Sequence, residues 1–412
     1  MRRSKVLARN KFFVLLATVV VFFICSNILI LKNGRQDGEE YKRVRRKETI
    51  PWKGTEGVQP TDERKRQKQL ENLGPPCMQI GVIAGQGQWE AAVPCTRINC
   101  TVKSVQALDY TNLTNMDAVY FIQLAHSPLQ WRDMLRKRSF GQLWVFNSFE
   151  SPLNTQHLKL NYLRKSFNWT LTYRTDSTFP SPYGRYRRFD KIGRESLAER
   201  AIIDTVNWVE GRHAGAKVMW MASNCRATGW PRTKFVSELQ KYIDIDIYGK
   251  CGKLSCPKGN DCGDTIRKYK FYLAFENSEC TDYITEKFWE PLYFGSIPIV
   301  YGPTKADYEK VAPPNSFIHV EDFPKLKDLA KYLLKLDKND NLFNEYFEWR
   351  RHGLVEINLI ATYYEPAVTF CRIAEKIHNL RRNEKQQKAE NVDLPRWWEA
   401  SCNERYVLHS MI

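Results

Sequence analysis

The pattern of apolar and polar positions divides this chain into short buried runs separated by polar loops and amphipathic stretches. Gln79–Ala84, Ala118–Gln123 (AVYFIQ) and Gln142–Phe146 (QLWVF) read as strands, with a helix-like segment over Leu129–Arg138 between the last two. A second series starts at Lys217–Ala222 (KVMWMA). It continues with a helix over Phe235–Tyr242 and strands over Ile243–Tyr248, Phe271–Phe275 and Ile297–Tyr301. Beyond Pro303 the pattern predicts helices at Lys305–Val311, Leu326–Leu336, Asn344–Arg350 and Ala361–Leu380, the last broken near Pro366. A further strand is predicted at Phe317–Val320. Alternating strand and helix in two series predicts an α/β protein with two domains. No internal repeat is present.

Ahead of the first series lies Phe12–Leu31, a run of 20 residues without a charge. As a helix it would be ~30 Å long, the thickness of a bilayer core. Arg2, Arg3, Lys5, Arg9 and Lys11 precede it with no acidic residue, which predicts a cytosolic N-terminus and a type II signal-anchor. A cleaved signal peptide and a buried soluble helix are the rival readings. The run is long for the first and has no polar face for the second. Lys32–Pro76 is charged and almost free of aliphatic periodicity, the composition of a flexible stem.

Charge and cysteine usage narrow the picture. The net charge is +17, but residues 1–76 contribute +9 of it and the remaining 336 residues only +8. That distribution, with no RNP, zinc-finger or helix-turn-helix pattern, argues against nucleic acid and suits a single anionic ligand. Eleven cysteines are present, ten of them beyond Cys25, an even number that suggests disulfides in an oxidising compartment. Cys251, Cys256 and Cys262 are spaced too widely for a zinc knuckle. Sequons at Asn99, Asn112 and Asn168 agree with a secretory route and are candidate N-glycosylation sites.

The most informative stretch is Lys270–Pro303, KFYLAFENSECTDYITEKFWEPLYFGSIPIVYGP. A buried strand runs into the polar loop Glu276–Asp282. A helix then starts with Thr285 or Asp282 as its cap, Gly295 ends it, and a second strand follows. A helix start presents free N–H groups; Lys287 adds a cation, and Glu276, Asn277 and Glu286 add acceptors, together a fit for a diphosphate beside a ribose or sugar. A surface Lys–Glu pair on an ordinary helix is the plain alternative. Upstream, Gln142–Phe146 runs into Asn147-Ser148-Phe149-Glu150-Ser151-Pro152. A carboxylate at a strand end, fixed by a Ser-Pro turn, is a plausible general base or an exposed turn glutamate. Asp244-Ile245-Asp246 could hold a divalent metal, but Ile243, Ile245 and Ile247 alternate with it as on a half-buried strand.

The run FYLAFENSECTDYITEKFW resembles the donor-binding signature of the α1,3-fucosyltransferases, glycosyltransferase family ten. The tetrapeptide FESP resembles the family's acceptor-side motif, and YRTDSTFPSPYG (Tyr173–Gly184) a further one, from which Thr178 and Ser181-Pro182 depart. The resemblance implies a GT-B-like α/β fold, two Rossmann-like domains facing across a cleft. The parts would be a tail (1–11), span (12–31), stem (32–76), acceptor-side domain (77–210), GDP-fucose domain (211–365) and C-terminal helix and tail (366–412) that crosses back to the first domain. It implies inverting transfer of L-fucose from GDP-β-L-fucose to O3 of an N-acetylglucosamine in a glycan, from a head in the Golgi lumen. Glu150 would be the base. Ser223, Asn224, Arg232, Tyr248, Glu276, Asn277, Tyr283, Glu286 and Lys287 would bind the donor, with no required cofactor and no metal on the DxD pair. Asp176 and Tyr183 are further candidates to line the cleft. Core and antennary acceptors both stay open, as does the oligomeric state, and the region around Trp397, Trp398 and Cys402 has no assigned role.

Overall fold

A computed structural model describes residues 76–402, apart from 84–88, 99, 108–109, 123–126, 156–159, 190–207, 214–217, 227, 257–261, 358–365 and 383–390. The expected span at Phe12–Leu31, the stem and the sequon at Asn99 lie outside the described residues. Among the described residues no helix is long and apolar enough to cross a membrane. The chain separates into two units, Met1–Gln59 and Pro60–Ile412, and the description below concerns the second.

The first sheet is built from β1 (Pro76–Ile83), β2 (Trp89–Cys95), β3 (Cys100–Ala107), β4 (Ala118–Ile122), β5 (Leu143–Ser148) and β6 (Trp169–Thr172) in the order β2-β3-β1-β4-β5-β6. All neighbours are parallel except β2 and β3. The pattern of the sequence missed β2, β3 and β6. β2 carries Pro94 and is an edge strand, where a missing N–H is tolerated, and β6 is an edge strand of four residues, too short for periodicity to register. Helix α1 (Pro128–Lys137) starts where Ser127 and Gln130 exchange a reciprocal capping box, with Pro128 in the first turn. After Gly184 the basic run Arg185–Arg188 forms a strand, β7. It pairs antiparallel with Gly353–Glu356, and Glu356 sits between Arg185 and Arg187.

The second sheet holds β8 (Val218–Met221), β9 (Ile245–Tyr248), β10 (Phe271–Phe275), β11 (Ile297–Tyr301) and β12 (Ile318–His319), all parallel, in the order β12-β11-β10-β8-β9. Its helices include α2 (Arg232–Leu239), α3 (Glu286–Phe294), α4 (Lys305–Val311) and α5 (Leu326–Asp337). Helix α2 begins three residues before its expected start and ends three before its expected end. The helix expected at Asn344–Arg350 is an Asp340–Glu345 helix capped by Asn339, followed by a separate 3-10 turn over Glu348–Arg351. The parallel strands of both sheets follow the doubly wound order, in which the second strand lies outside the first and the third lies on its other side. Ligands in such sheets bind beyond the carboxyl ends of the first and third strands, here β8 and β10 in the second sheet.

Helix α6 (Pro366–Arg382) returns to the first sheet, where Phe370, Ile373, Ala374 and Ile377 share a core with Met78, Ile80, Val82 and Val102. The Cys95–Cys371 disulfide, across 276 residues, fixes that return covalently. The cysteines once weighed as zinc ligands are also bonded, as Cys225–Cys251 and Cys256–Cys262. A bond closing so long a loop restricts the unfolded chain strongly. The double substitution Cys95→Ser/Cys371→Ser is therefore expected to lower stability by ~2–5 kcal/mol. Thermal unfolding of the two proteins side by side measures it, and an unchanged midpoint would show that packing alone holds α6.

Candidate active site

The site is assembled at the end of β10. All five residues of that strand are buried, flanked by β11 and β8, so Glu276 enters the interior by continuation and is 0% exposed. Gly302, at φ 151°, makes this possible, because a Cβ there would lie 2.7 Å from the Glu276 side chain. The buried carboxylate is satisfied from the start of α3: it accepts from Thr285 N (2.7 Å) and Thr285 Oγ1 (2.9 Å). Thr285 caps the helix, and Asp282, the other expected cap, points elsewhere. Because the Thr285 hydroxyl proton is committed to Glu276, its lone pairs face Lys287 Nζ at 3.0 Å.

Lys287 Nζ also donates to Glu286 Oε1 (2.7 Å) and stands 3.6 Å from Glu276 Oε2. Burial pushes the Glu276 carboxyl up to about 7, with Lys287 pulling it back towards the charged form. Burial works to lower the Lys287 ammonium, but Glu276 and Glu286 outweigh it and hold the group above its ordinary value. Burial likewise acts upward on Glu286, and Lys287 holds it below the usual carboxylate range. The result is a fixed cation, 20% exposed, at a helix N-terminus.

The other expected donor residues divide. Ser223 and Asn224 lie exposed just beyond β8, beside the end of β10 and so at the predicted switch point. The Cys225–Cys251 disulfide ties this loop to the one after β9. Asn277 is half-buried; its carbonyl accepts from Gly229 N (2.7 Å) and its Oδ1 from Ser278 Oγ (2.9 Å). Arg232, expected to bind the donor, is instead turned inward. It is 2% exposed at the start of α2, and its guanidinium donates to Phe275 O (3.0 Å) and Asn224 O (2.7 Å). It therefore splices the β8 loop to the β10 end from beneath. Tyr248 is not drawn to Lys287: its hydroxyl meets that of Tyr269 (3.1 Å), which donates to Asp246 Oδ2 (2.7 Å). Tyr269 precedes β10, so the Asp246 carboxylate, on the edge strand beside β8, accepts from the amino-terminal side of β10.

Glu150 comes from the first sheet. β5 extends two residues past its expected end because Asn147 Nδ2 donates to Leu171 O (2.8 Å) and Ser148 Oγ to Glu150 O (2.9 Å). Glu150 is exposed, and its Oε2 accepts from Asn154 Nδ2 (3.1 Å) and from Tyr283 OH (3.2 Å). Tyr283 belongs to the β10–α3 loop, so this bond joins the two sheets at the site. Tyr183, half-buried, donates to Phe149 O (2.8 Å); burial, helped by the charges of Glu286, Glu150 and Glu276, pushes its hydroxyl well above the ordinary range. Asp176 is a turn residue instead, bonded to Arg174 and to Trp397 Nε1 (3.0 Å).

The C-terminal region left unassigned forms the wall behind Tyr283. Trp398 is fully buried against Phe146 and Tyr173, donates to Thr155 Oγ1 (3.2 Å), and is followed by Cys402, bonded to Cys280 in the donor loop. The even cysteine number was the available signal for this contact. Asn168 is corrected as a glycosylation site. It is 9% exposed, its Nδ2 donates to Asn391 Oδ1 (2.8 Å), and its Oδ1 accepts from Trp144 N (2.9 Å). Attaching a sugar there would break a buried network. Asn112 is exposed.

Two doubly wound α/β sheets meet at this site, one bringing a helix N-terminus and a fixed lysine and the other the Glu150 carboxylate. The comparisons give the family. A family described as "Glycosyltransferase family 10 (fucosyltransferase) C-term" matches residues 212–397, and "Fucosyltransferase, N-terminal" matches residues 82–184. The chain is 33% identical over 315 residues to alpha-(1,3)-fucosyltransferase 7 of Rattus norvegicus, covering 74% of each. It is 41% identical over 267 residues to glycoprotein 3-alpha-L-fucosyltransferase A of Drosophila melanogaster, covering 64% of this chain and 48% of that one. The alignment thus spans about half the length of the Drosophila relative. A crystal structure of an alpha1,3-fucosyltransferase aligns with a TM-score of 0.46 at 17% identity, over 76% of this chain and 92% of that one; a likeness that loose places no residue. The chain belongs to the glycosyltransferase family 10 fucosyltransferases.

Removing the Thr285 hydroxyl leaves both Glu276 and Lys287 short of a partner and takes the cap from α3. Thr285→Val is therefore expected to cost ~1–3 kcal/mol of stability. Denaturant unfolding reads this directly; a variant as stable as the wild type would mean the hydroxyl is not a structural partner of the ion pair.

Proposed function

We propose that this protein transfers L-fucose from GDP-β-L-fucose to O3 of an N-acetylglucosamine in a glycoprotein N-glycan, with inversion. Its head would face the Golgi lumen, held to the membrane by the apolar run at Phe12–Leu31. The observation that carries the reading is the meeting of Glu150 with the β10–α3 loop through Tyr283, which sets a base beside an anion-binding helix start. Membership of the family and the names of the relatives supply the donor sugar and the linkage, and the Drosophila relative's name supplies the glycoprotein acceptor.

In this mechanism Glu150 takes the proton from the acceptor O3 as that oxygen attacks C1 of fucose. The C1–O bond to the diphosphate breaks on the opposite face, and GDP leaves. Lys287, at the positive end of the α3 dipole, offsets the charge that develops on the diphosphate, the task a divalent metal performs in other transferases. Glu286, half-exposed beside Lys287, would accept from the ribose hydroxyls, and Ser223 and Asn224 would meet the nucleotide from the β8 side. Arg232 would act at one remove by holding the Asn224 and Phe275 carbonyls in place. No metal enters the scheme. Asp246, the alternative ligand for one, already accepts from Tyr269.

The test is transfer from GDP-fucose by the full chain, with EDTA present, to a GlcNAc-terminated N-glycan core and to N-acetyllactosamine. Transfer to either acceptor in chelator supports the proposal, and the preferred one decides between core and antenna. Transfer that requires added metal would overturn the metal-free scheme. Glu150→Gln is expected to abolish transfer while GDP binding, followed by calorimetry, stays near the wild-type value. Lys287→Ala is expected to lower kcat by about 10²–10³, the scale of a lost charge-stabilising donor.

A further inference from the structure

Asp282 has no part in the scheme above, yet its setting is unusual. It is a non-glycine residue at φ 60°, in the left-handed region, 7% exposed, and it immediately precedes Tyr283. It does not cap α3. Its Oδ2 instead accepts from Thr175 N (2.9 Å) and Thr175 Oγ1 (2.6 Å), in the loop after β6 of the first sheet. Its Oδ1 faces Lys310 Nζ of α4 at 3.6 Å, and Lys310 also donates to Thr175 Oγ1. Asp282 therefore joins loops of both sheets through a buried charge.

The neighbouring residues show what this bond holds. Ser278 Oγ meets Ser151 Oγ at 2.7 Å, with both side chains fully buried. Thr281 N donates to Ser401 O (2.8 Å), and Cys280 is bonded to Cys402. From Ser278 to Tyr283 the loop of the second sheet is fastened to the first sheet and its C-terminal wall. Tyr283 itself is packed on Tyr173 (4.9 Å between centroids), inside the first sheet's core.

We infer that Asp282 is a positioning residue: by gripping Thr175 across the sheet boundary it seats the Tyr283 hydroxyl on Glu150. This inference rests on the reading of Glu150 as the base. The left-handed backbone turns the chain so that consecutive side chains reach separate targets, Asp282 the β6 loop and Tyr283 the end of β5. A carboxylate suits the position because its two oxygens serve Thr175 on one side and Lys310 on the other. Without that grip the phenol keeps its packing on Tyr173 but loses the contact, made through the preceding residue, that holds its backbone, and the base loses its fixed orientation towards the acceptor oxygen.

Asp282→Ala in the full chain is expected to lower kcat by ~10- to 100-fold, the scale of a small misplacement of a reacting group, with the donor KM within about threefold of wild type. Asp282→Asn, which keeps one acceptor for Thr175, should recover most of that loss. Added to Tyr283→Phe, Asp282→Ala should cause little further loss, because both act through one bond. Thr175→Val approaches the same contact from the first sheet and should give a smaller kcat defect should Asp282→Ala fold poorly. Hydrogen exchange on the peptide covering 276–285 provides a readout independent of turnover. Asp282→Ala should raise its exchange while peptides from β1 and α5 stay unchanged. Wild-type kcat, a loss confined to donor KM, full additivity with Tyr283→Phe, or unchanged exchange would each overturn the inference. Glu150→Gln measured alongside separates the two ideas: if it retains wild-type transfer, the assignment of the base fails whatever Asp282 does.

Discussion

The structure depends on burying one carboxylate and giving it partners away from water. Glu276 sits at the end of the central strand of the second sheet, where burial strongly disfavours its ionised form. Thr285 N, Thr285 Oγ1 and Lys287 together offset part of that cost. Each compensating group has a second duty: Thr285 caps α3, and Lys287 is the cation at the helix start. Cap, cation and buried acceptor are therefore one network, and the lysine is held in place by it.

A second constraint concerns how two separately wound sheets share one site. The β10–α3 loop leaves the second sheet and is fastened along its length to the first, by Ser151, Thr175, Tyr173 and the Cys280–Cys402 bond. The chain then returns twice to the first sheet, through α6 and through the Trp398 segment. These returns build the surface on which the loop rests. The placement of Glu150 relative to the start of α3 is thus set by contacts within the protein.

Much of this was legible in the sequence wherever local pattern and local chemistry agree. Phe271–Phe275 and Ile297–Tyr301 are strands with the expected bounds, because an unbroken apolar run between polar loops has few alternatives. Thr285 and Gly295 bound α3 as their side-chain chemistry requires. β2, β3 and β6 were not legible, being edge or near-edge strands whose composition carries little alternation. The sequon at Asn168 was a true pattern with a false implication, since three residues cannot report that their asparagine faces the interior.

The sequence by itself determined the two α/β series, the polar loop and capped helix, and the kinds of group gathered there. Only the tertiary structure decided what those groups touch. It made Arg232, expected to bind the donor, a buried splice between two loops, because its side chain leaves α2 towards the sheet. It committed Tyr248 and Asp246 of the neighbouring edge strand to Tyr269. It brought Glu150 to Tyr283 over 133 residues and gave Trp398 and Cys402 their place. Periodicity and capping act over a few residues and are written locally. Contacts between the loops of two sheets depend on strand order and on the path of the whole chain, which no local window contains.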